Sequence, residues 1–345
     1  MTVKRYYSNL IDSPASIVWI YILTSVSVSD RTEMTNEGKS QHEEIDIAIL
    51  GGGHVGLQAA LVLSRTRKKI IVFDDPEPPR NAASHGVHGV LGLDGLLPTD
   101  IRKIAWKQIE KYESAELRKE KIVSVNKEEE DGTFFIAGDN ETSIKAKKVI
   151  LALGYHDVYP DIPGFLECWA DTIIPCAFCD GYENRDRVWG IVANTEMELQ
   201  WLPKMAQNWT SKIKVLITPN LEIESSYQNK LSKLGIPVYR GVITNVNHIN
   251  TKVESVSFKS GENIKAETLL WIPPAKPPEL IRRLVENLSL ELDGQGYVKT
   301  DEKQETNVKG LFAAGDVRGV PSRGALAATY DGGIAGTMII HEWYS

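Results

Sequence analysis

The chain has 345 residues, of which 42% are hydrophobic and 25% charged, and its net charge is −7. These values are typical of a globular protein with room for two domains. They argue against a nucleic-acid partner, because phosphate binding needs a concentrated basic face that no region supplies. Three cysteines are too few for a disulfide-stapled secreted protein of this length. We therefore expect a cytoplasmic protein.

The first 44 residues differ from the rest of the chain. Lys4 and Arg5 precede an apolar run, residues 17–23, that is too short for a membrane span and has no small-residue cleavage site after it. The polar stretch that follows contains Met34, after which the chain resembles an ordinary cytosolic N-terminus. We predict a disordered extension or an over-extended start over residues 1–44, in preference to an export signal, and no membrane partner.

Regular structure is predicted to begin at Ile45. A short apolar, β-branched run forms a strand, a glycine cluster ends it, and a helix with a wide apolar face and a second strand follow. This order predicts a parallel βαβ unit. The predicted elements are a strand at 45–50, a helix at 54–64 and a strand at 70–73 that ends at Asp74.

Two proline-rich crossings divide the remainder of the chain. Residues 159–164 are taken as a domain boundary and residues 272–278 as the return crossing, with a second α/β segment between them. The fold class is therefore α/β, with two Rossmann-like, three-layer nucleotide-binding domains. The other predicted elements are a loop at 80–98, a helix at 101–114, strands at 122–126, 133–137, 149–153 and 310–314, and a closing helix at 324–342.

A glycine-rich turn follows the first predicted strand. Gly51, Gly53 and Gly56 fit G-x-G-x-x-G. In that motif the first glycine permits the tight turn, the second lets the backbone approach a pyrophosphate, and the third lets the helix pack on the sheet. Asp74, 18 residues after Gly56, ends the second strand, where an acid can accept hydrogen bonds from a ribose diol. These residues predict a dinucleotide site rather than a glycine turn with a chance acid.

A second candidate for the same ligand lies far downstream. Residues 310–316 form a buried strand that ends in Gly315 and Asp316. A small residue there lets a ligand approach, and a carboxylate can bind a polyol hydroxyl, although a capped strand end would have the same pattern. Together with the first motif and the helix that begins near Ala325, the segment resembles the second FAD signature of the pyridine-nucleotide disulfide oxidoreductases.

The sharpest motif is Cys-Ala-Phe-Cys-Asp-Gly, which contains Cys176 and Cys179. Two cysteines at this spacing can form a disulfide that cycles, especially where a helix N-terminus lowers the pKa of one thiol. Asp180 is placed to donate or accept the proton that dithiol exchange requires. A zinc site needs four ligands, and only Cys168 and scattered histidines such as His156 are available, so we expect no metal.

Taken together, the glycine motif, the Cys-x-x-Cys motif and Phe-Ala-Ala-Gly-Asp-Val-Arg resemble the low-molecular-weight thioredoxin reductases. The match covers about residues 45–343, with all three motifs in the family's order and spacing. The resemblance implies FAD as the cofactor and a role for each motif residue. Cys179 would lie against the flavin, Cys176 would attack the partner's disulfide, Asp180 would be the acid/base, and Asp316 would hold the flavin ribityl chain.

The resemblance also implies how the domains are arranged. Residues 45–158 and 275–345 would form a discontinuous FAD-binding domain, and residues 159–274 an inserted domain that carries the dithiol. The family further implies a homodimer.

One part of the family pattern is broken. A second glycine motif, which binds NADPH, should follow the dithiol, but counting from Cys179 its glycine positions fall on Val192, Ala193 and Asn194. Side chains there would block the pyrophosphate, and Glu196 would add a negative charge. The strand at 214–217 is followed by Thr-Pro-Asn, without the Arg or His that would bind a 2′-phosphate. We infer that NADPH binding is lost or greatly weakened.

Three functions remain open on the sequence. The first is an FAD-dependent reductase that passes electrons to a protein disulfide such as that of a thioredoxin-like partner, with ferredoxin or another donor in place of NADPH. The second is a dithiol oxidase of the gliotoxin type, which acts on a small dithiol and uses O₂. Residues 80–95 resemble the corresponding segment of that branch. Those oxidases usually carry His after the second cysteine, where this chain has Asp180, and this favours the reductase. The third is a flavin-bound redox sensor. His85 and His88 have two possible functional roles, as proton carriers or as flavin contacts. The alternative is that they are loop residues that make local hydrogen bonds.

Overall fold

The computed structural model describes residues 42–140, 142–319 and 324–344. The prediction for residues 1–44 therefore lies almost entirely outside the described residues, and the cytoplasmic location likewise stays a prediction. Within the described ranges, no helix combines the length and the apolar character needed to cross a membrane.

The described residues alternate between strands and helices. The strands are β1 (Glu43–Leu50), β2 (Ile70–Asp74), β3 (Ala115–Lys119), β4 (Ile122–Lys127), β5 (Phe134–Gly138), β6 (Ser143–Leu151), β7 (His156–Asp157), β8 (Ile173–Ile174), β9 (Trp189–Ala193), β10 (Ile213–Ile217), β11 (Val238–Arg240), β12 (Ile243–Ile249), β13 (Lys252–Phe258), β14 (Asn263–Lys265), β15 (Thr268–Trp271), β16 (Ala275–Lys276) and β17 (Leu311–Ala313). The helices are α1 (His54–Ser64), α2 (Pro98–Ile109), α3 (Phe165–Cys168), α4 (Ala177–Asp180), α5 (Glu196–Ala206), α6 (Ser225–Lys233), α7 (Glu279–Leu288) and α8 (Ala325–Trp343), with a 3₁₀ turn at Gly315–Arg318.

Two sheets carry the fold. The first has the order β3-β2-β1-β6-β5-β4, and β17 pairs in parallel with the end of β6. The second has the order β11-β10-β9-β15-β8, and all its pairs are parallel. β12, β13 and β14 form a separate antiparallel sheet. The parallel βαβ prediction is confirmed, because β1 and β2 pair in parallel on either side of α1.

Alternation along β1 explains the three layers of the first half. Ile47 and Ile49 belong to a core that also contains Leu63 of α1 and Ile339 of α8. Their neighbours Ala48 and Leu50 point to the opposite face, where the core includes residues of β4, β5 and α7. Because side chains alternate between the two faces of a strand, one buried strand contributes to both cores.

Two predicted elements have other bounds in the structure, and one strand was not predicted. The helix predicted at 101–114 spans Pro98–Ile109 in the structure. It begins at Pro98 because proline is favoured in the first helical turn. Residues 115–119, Ala-Glu-Leu-Arg-Lys, form the edge strand β3, whose sequence lacks the β-branched residues that would have indicated it. The strand predicted at 149–153 begins at Ser143. The prediction missed its first half because the lysines there obscure the alternation of apolar and polar residues.

The two crossings between the halves lie side by side. His156 and Asp157 pair with Lys276 and Ala275 in a two-stranded antiparallel ribbon. The chain therefore leaves the first sheet and returns to it at neighbouring points. This supports the fold class predicted above, two Rossmann-like halves with the second inserted into the first.

Candidate active site

The glycine turn after β1 has the geometry that the sequence motif requires. Gly51 has φ +120°, and a Cβ atom there would lie 2.2 Å from the carbonyl oxygen of Ala152. A Cβ atom on Gly56 would lie 1.8 Å from the carbonyl oxygen of Gly51, so α1 packs directly on the turn. A Cβ atom on Gly53 would meet no protein atom within 4 Å. The turn is thus tight at its first glycine, packed at its third and open at its second, which is the position where backbone approaches a pyrophosphate.

Asp74 lies where the sequence placed it, at the buried end of β2. A Cβ atom on Gly52 would lie 2.5 Å from its Oδ1, so this carboxylate sits beside the glycine turn. Its Oδ2 accepts a hydrogen bond from Arg102 of α2. The sequence did not point to Arg102, because its place depends on how α2 packs beside α1.

The downstream motif meets the glycine turn in space. Gly315 has φ +78°, and a Cβ atom there would lie 2.4 Å from Val55 in the first turn of α1. Its N–H donates to the buried carboxylate of Asp331, which lies on α8. Ala325 is the first residue of α8. The fold therefore brings the two motifs together although about 260 residues separate them.

Asp316 is held by a cation that the sequence analysis did not single out. Arg80 Nη1 lies 3.3 Å from Asp316 Oδ2, and the same guanidinium donates from Nε to Asp157 at 2.8 Å. Arg80 thereby ties the loop after β2 to both the crossing segment and the second motif. The sequence gives no signal for this pair, because Arg80 and Asp316 lie 236 positions apart.

His54 is a third residue that the sequence did not point to. Its Nε2 is buried and has no hydrogen-bond partner in the structure. Burial lowers the pKa of its imidazole, and the charge of Arg102 adds to this. A buried polar atom normally has a partner, so an unpaired nitrogen beside the open Gly53 fits a polar ligand at the turn.

Cys176 and Cys179 form a disulfide, with Cα atoms 5.3 Å apart. Cys176 caps the short helix α4, and its Sγ accepts the N–H of Cys179 at 3.2 Å. The third cysteine, Cys168, is free and fully buried, and burial raises the pKa of its thiol to about 11. Of the three cysteines, the predicted pair is thus the one that forms a disulfide in the structure.

Asp180, directly after the pair, has an environment suited to proton transfer. Burial raises the pKa of its carboxyl to about 6, the charge of Glu183 adds to this, and His88 opposes it. A group whose pKa lies near the working pH both accepts and releases protons readily. Desolvation and a like charge raise a carboxyl pKa in this way.

An open cavity of about 360 Å³ lies against the disulfide. Cys179 lines it, whereas Cys176 is absent from its wall. His88 crosses it, with Nδ1 3.8 Å from Asp94 Oδ1 and Nε2 3.7 Å from Glu183 Oε1. The wall consists of His88, Gly89, Asp94, Phe178, Cys179, Tyr182 and Glu183. Among the described residues, no cluster of three or more His, Cys, Asp or Glu side chains could hold a metal ion.

The second nucleotide-type half lacks an open phosphate turn. β9 runs to Ala193, so Val192 and Ala193 lie in the strand, and of the three positions counted from Cys179 Asn194 alone lies in the turn Asn194–Thr195. Thr195 Oγ1 accepts the N–H of Glu198 at 3.2 Å, and Glu198 Oε2 accepts the N–H of Asn194 at 2.8 Å. This arrangement resembles a capping box, in which the chain's own side chains occupy donors that would otherwise face a phosphate. The pattern Thr-x-x-Glu was readable in the sequence.

One basic side chain lies against the loop after β10, although the sequence analysis did not place it there. Arg240, at the end of the neighbouring strand β11, donates through Nη1 to the carbonyl oxygens of Thr218, Pro219 and Leu221, at 3.4, 3.0 and 2.5 Å. The loop residues themselves bring no Arg or His. Arg240 thus places an exposed guanidinium at this loop, with its Nη1 donating to the backbone.

A dinucleotide turn, a second nucleotide-type sheet and a Cys-x-x-Cys disulfide on one α/β chain define a flavin-dependent disulfide oxidoreductase. The chain belongs to the pyridine nucleotide-disulphide oxidoreductase family, whose model matches residues 45–188 and 213–332. The match shows the class that the motifs predicted, a thioredoxin-reductase-like enzyme with FAD as its cofactor.

The relatives agree with this class over most of the chain. The thioredoxin reductase tcpT of Claviceps purpurea is 30% identical over 306 residues, which cover 85% of this chain and 92% of that protein. The thioredoxin reductase of Bacillus subtilis is 25% identical over 319 residues, covering 88% and 96%. The crystal structure of an oxidoreductase from Agrobacterium tumefaciens superimposes with a TM-score of 0.77 at 27% identity, covering 87% and 99%.

Proposed function

We propose that the protein is an FAD-dependent oxidoreductase. Electrons pass between its flavin and the Cys176–Cys179 pair, and from the pair to a disulfide of a thioredoxin-like protein. The electron donor is a molecule other than NADPH. The observation that carries this proposal is the contrast between the two nucleotide turns. The turn at Gly53 is open, whereas the turn at Asn194–Thr195 is closed by the carboxylate of Glu198.

The FAD site would be formed by both motifs of the first half. The residues present fit the cofactor, because the backbone at Gly53 faces open space and a buried nitrogen of His54 lacks a partner. When bound, FAD would supply the two-electron exchange with the dithiol. The residues that would hold it are Gly51, Gly53, Gly56, Asp74, Gly315, Asp316 and Ala325.

The dithiol roles follow from position and environment. Cys176 would attack the partner's disulfide, forming a mixed disulfide, and Cys179 would resolve it and face the flavin. Asp180 would give a proton to the departing thiolate and recover it in the next exchange, a task suited to a carboxyl with a pKa of about 6. The place of Cys176 at the start of α4 supports its role, since a helix N-terminus favours the thiolate.

The donor is tested by anaerobic titration of the FAD-loaded protein with NADPH, NADH, dithiothreitol and a reduced ferredoxin, with flavin absorbance as the readout. We expect dithiothreitol and ferredoxin to bleach the flavin, and neither nicotinamide nucleotide to do so at a rate relevant to turnover. The physical reason is that a pyrophosphate at the second turn would meet Glu198 and bound N–H groups. Rapid bleaching by NADPH would contradict the proposal, and reduction by no donor would favour a redox sensor.

A dithiol oxidase that passes electrons to O₂ is the second candidate. The cavity beside Cys179, of about 360 Å³, has the size of a small-molecule site. Two exposed aromatic side chains, Phe178 and Tyr182, line it. A small dithiol that enters there would meet Cys179 first. Oxygen uptake during dithiol turnover in the same assay would favour the oxidase over the reductase.

The domain boundaries and the oligomeric state are also proposals. The paired crossings β7 and β16 support an FAD-binding domain of residues 45–158 and 275–345, with residues 159–274 inserted. The segments that form the small core at Val87, Val90 and Ile101 also carry exposed apolar side chains, which supports a homodimer through these segments. Sedimentation velocity should give twice the chain mass, and a single-chain mass would contradict the dimer. The exposed side chains are Leu91, Leu97, Ile104, Leu326 and Tyr330.

A further inference from the structure

The cavity beside the disulfide has an acidic wall. It includes the carboxylates of Asp94 and Glu183, whose side chains are 69% and 47% exposed and therefore accessible to a partner. His88 lies between them, with Nδ1 3.8 Å from Asp94 Oδ1 and Nε2 3.7 Å from Glu183 Oε1. His85, the other histidine of the loop, is exposed and is absent from the wall. Because two carboxylates outweigh one imidazolium, the wall is acidic whether or not His88 is protonated.

The carboxylate on the loop side of the cavity is held by its own backbone. Val87 and Leu96 form an antiparallel bridge that closes the loop between them. Within that loop the N–H of Gly89 donates to Asp94 Oδ1 at 2.8 Å. The opposite carboxylate, that of Glu183, belongs to the dithiol segment and reaches His88 across the cavity. Negative charge from two separate segments is thus in place before any partner binds.

Two aromatic rings lie beside these carboxylates in the same wall. Phe178 and Tyr182 are 69% and 66% exposed, so most of their surface is available for contact. Phe178 packs edge-on against Trp209, with ring centroids 5.2 Å apart, which holds the exposed ring in place. Tyr182 has the exposed guanidinium of Arg185 over its ring, 4.1 Å from the centroid, but Arg185 lies outside the wall. No Lys or Arg occurs among the described residues of the wall, and aromatic faces beside carboxylates attract such cations.

We propose that this cavity receives a Lys or Arg side chain that flanks the reactive cysteines of the protein partner. The inference rests on the proposed function, in which the partner is a thioredoxin-like protein. A long cationic side chain has an apolar stem that suits the two rings and a charged head that suits the two carboxylates. The cavity volume of about 360 Å³ has room for such a side chain, and Cys179 in the same wall places it beside the redox pair.

The exchange that the cavity would serve needs no further oxidant or reductant. Starting from the disulfide in the structure, two thiols of a reduced partner lose two electrons and two protons, and a disulfide bond forms between their sulfurs. The Cys176–Cys179 bond breaks and takes up the two electrons, and the two protons pass to its sulfurs or to water. The reverse reaction reduces the partner. Charge recognition acts in both directions, because the same two proteins meet before either exchange.

The test uses three reduced peptides that carry one Cys-x-x-Cys motif and differ only in the two residues outside it, which are Lys, Gln or Glu. Each is mixed anaerobically with the FAD-loaded, oxidised protein, and after alkylation mass spectrometry measures the peptide disulfide formed. At low ionic strength the Lys peptide should react about 10- to 100-fold faster than the Glu peptide, with the Gln peptide between them. The rates of the same peptides with bis(2-hydroxyethyl) disulfide correct for the effect of the flanking charge on the peptide thiols.

Variants of the two carboxylates test whether the wall is the source of this preference. Glu183→Gln should reduce the ratio of the Lys to the Glu rate by about 3- to 10-fold. Asp94→Asn should do the same, and it keeps an oxygen that can accept the N–H of Gly89. The ratio is compared within each variant because Glu183 also raises the pKa of the Asp180 carboxyl, which affects all three peptides alike. The matched control Glu222→Gln, an exposed acid outside the wall, should keep the wild-type ratio.

Salt gives an independent check, because the Debye length falls from about 30 Å at 0.01 M to about 3 Å at 1 M and the preference should shrink with it. Equal rates for the three peptides would overturn the inference and leave the proposed function intact. A preference that survives both Glu183→Gln and Asp94→Asn would do the same. If no peptide reacts while dithiothreitol reduces the pair, the proposed activity on protein disulfides falls, and the inference falls with it.

Discussion

Replacing Cys176 with serine should lower turnover of disulfide or dithiol substrates by at least about three orders of magnitude, while FAD stays bound. A serine hydroxyl is not ionised at neutral pH and forms no disulfide. Serine is also a favoured helix cap, so it can replace Cys176 Sγ as the acceptor of the Cys179 N–H. The local backbone should therefore survive the change. Release of thiol from a chromogenic aromatic disulfide measures turnover, and visible absorbance measures bound FAD.

Two further variants show which sulfur meets the substrate. Cys179→Ser should accumulate a mixed disulfide on Cys176 that mass spectrometry can locate, because the resolving thiol is gone. Cys168→Ala is the matched control and should keep full activity, since that cysteine is buried and free. A trapped adduct on Cys179 in the Cys176→Ser variant would reverse the assigned roles. That outcome would agree with the finding that Cys179 lines the cavity.

Two alanine substitutions in the glycine turn should lower the free energy of unfolding by very different amounts. Gly56→Ala should destabilise the protein by about 3 kcal/mol or more, because its Cβ atom would lie 1.8 Å from the carbonyl oxygen of Gly51 and would push α1 off the sheet. Gly53→Ala should cost only about 0.5–1 kcal/mol, as expected for alanine at a helix cap, because its Cβ atom meets no protein atom.

The same Gly53→Ala variant should lose FAD although it folds. The methyl group would occupy the space through which a pyrophosphate approaches the backbone, so we expect the dissociation constant for FAD to rise by about 10-fold or more, equivalent to about 1.4 kcal/mol. Thermal unfolding of the FAD-free proteins measures the first effect, and quenching of FAD fluorescence measures the second. Wild-type FAD affinity in Gly53→Ala would mean that the pyrophosphate does not lie at this glycine.

Features that depend on neighbouring residues were predictable from the sequence. The strand–turn–helix unit at Gly51 could be predicted because a tight turn and close helix packing both require glycine. The pairing of Cys176 with Cys179 was predictable because their spacing lets the sulfurs meet within one helical turn. The edge strand β3 was missed because its pairing with β2, and not its own residues, makes it a strand.

Features that depend on distant residues required the fold. His88 and Glu183 lie 95 positions apart and meet across the cavity, and Arg80 reaches Asp316 over 236 positions. No local pattern encodes such contacts, because they follow from how the loop after β2 packs against the dithiol segment and the second motif. Burial of Asp180, which raises the pKa of its carboxyl to about 6, is likewise a property of the folded chain.

The sequence by itself thus determined the class of protein, the glycine turn after β1, the spacing of the Cys176–Cys179 pair and the absence of glycine from the second nucleotide turn. These follow from residue types within a few positions of one another, where backbone geometry leaves few choices. Only the tertiary structure decided that Glu198 closes that turn, that Cys179 lines an open cavity, and that His88 stands between the carboxylates of Asp94 and Glu183. The charge and the burial of a side chain depend on all the residues that pack around it, and many of these are distant in the sequence.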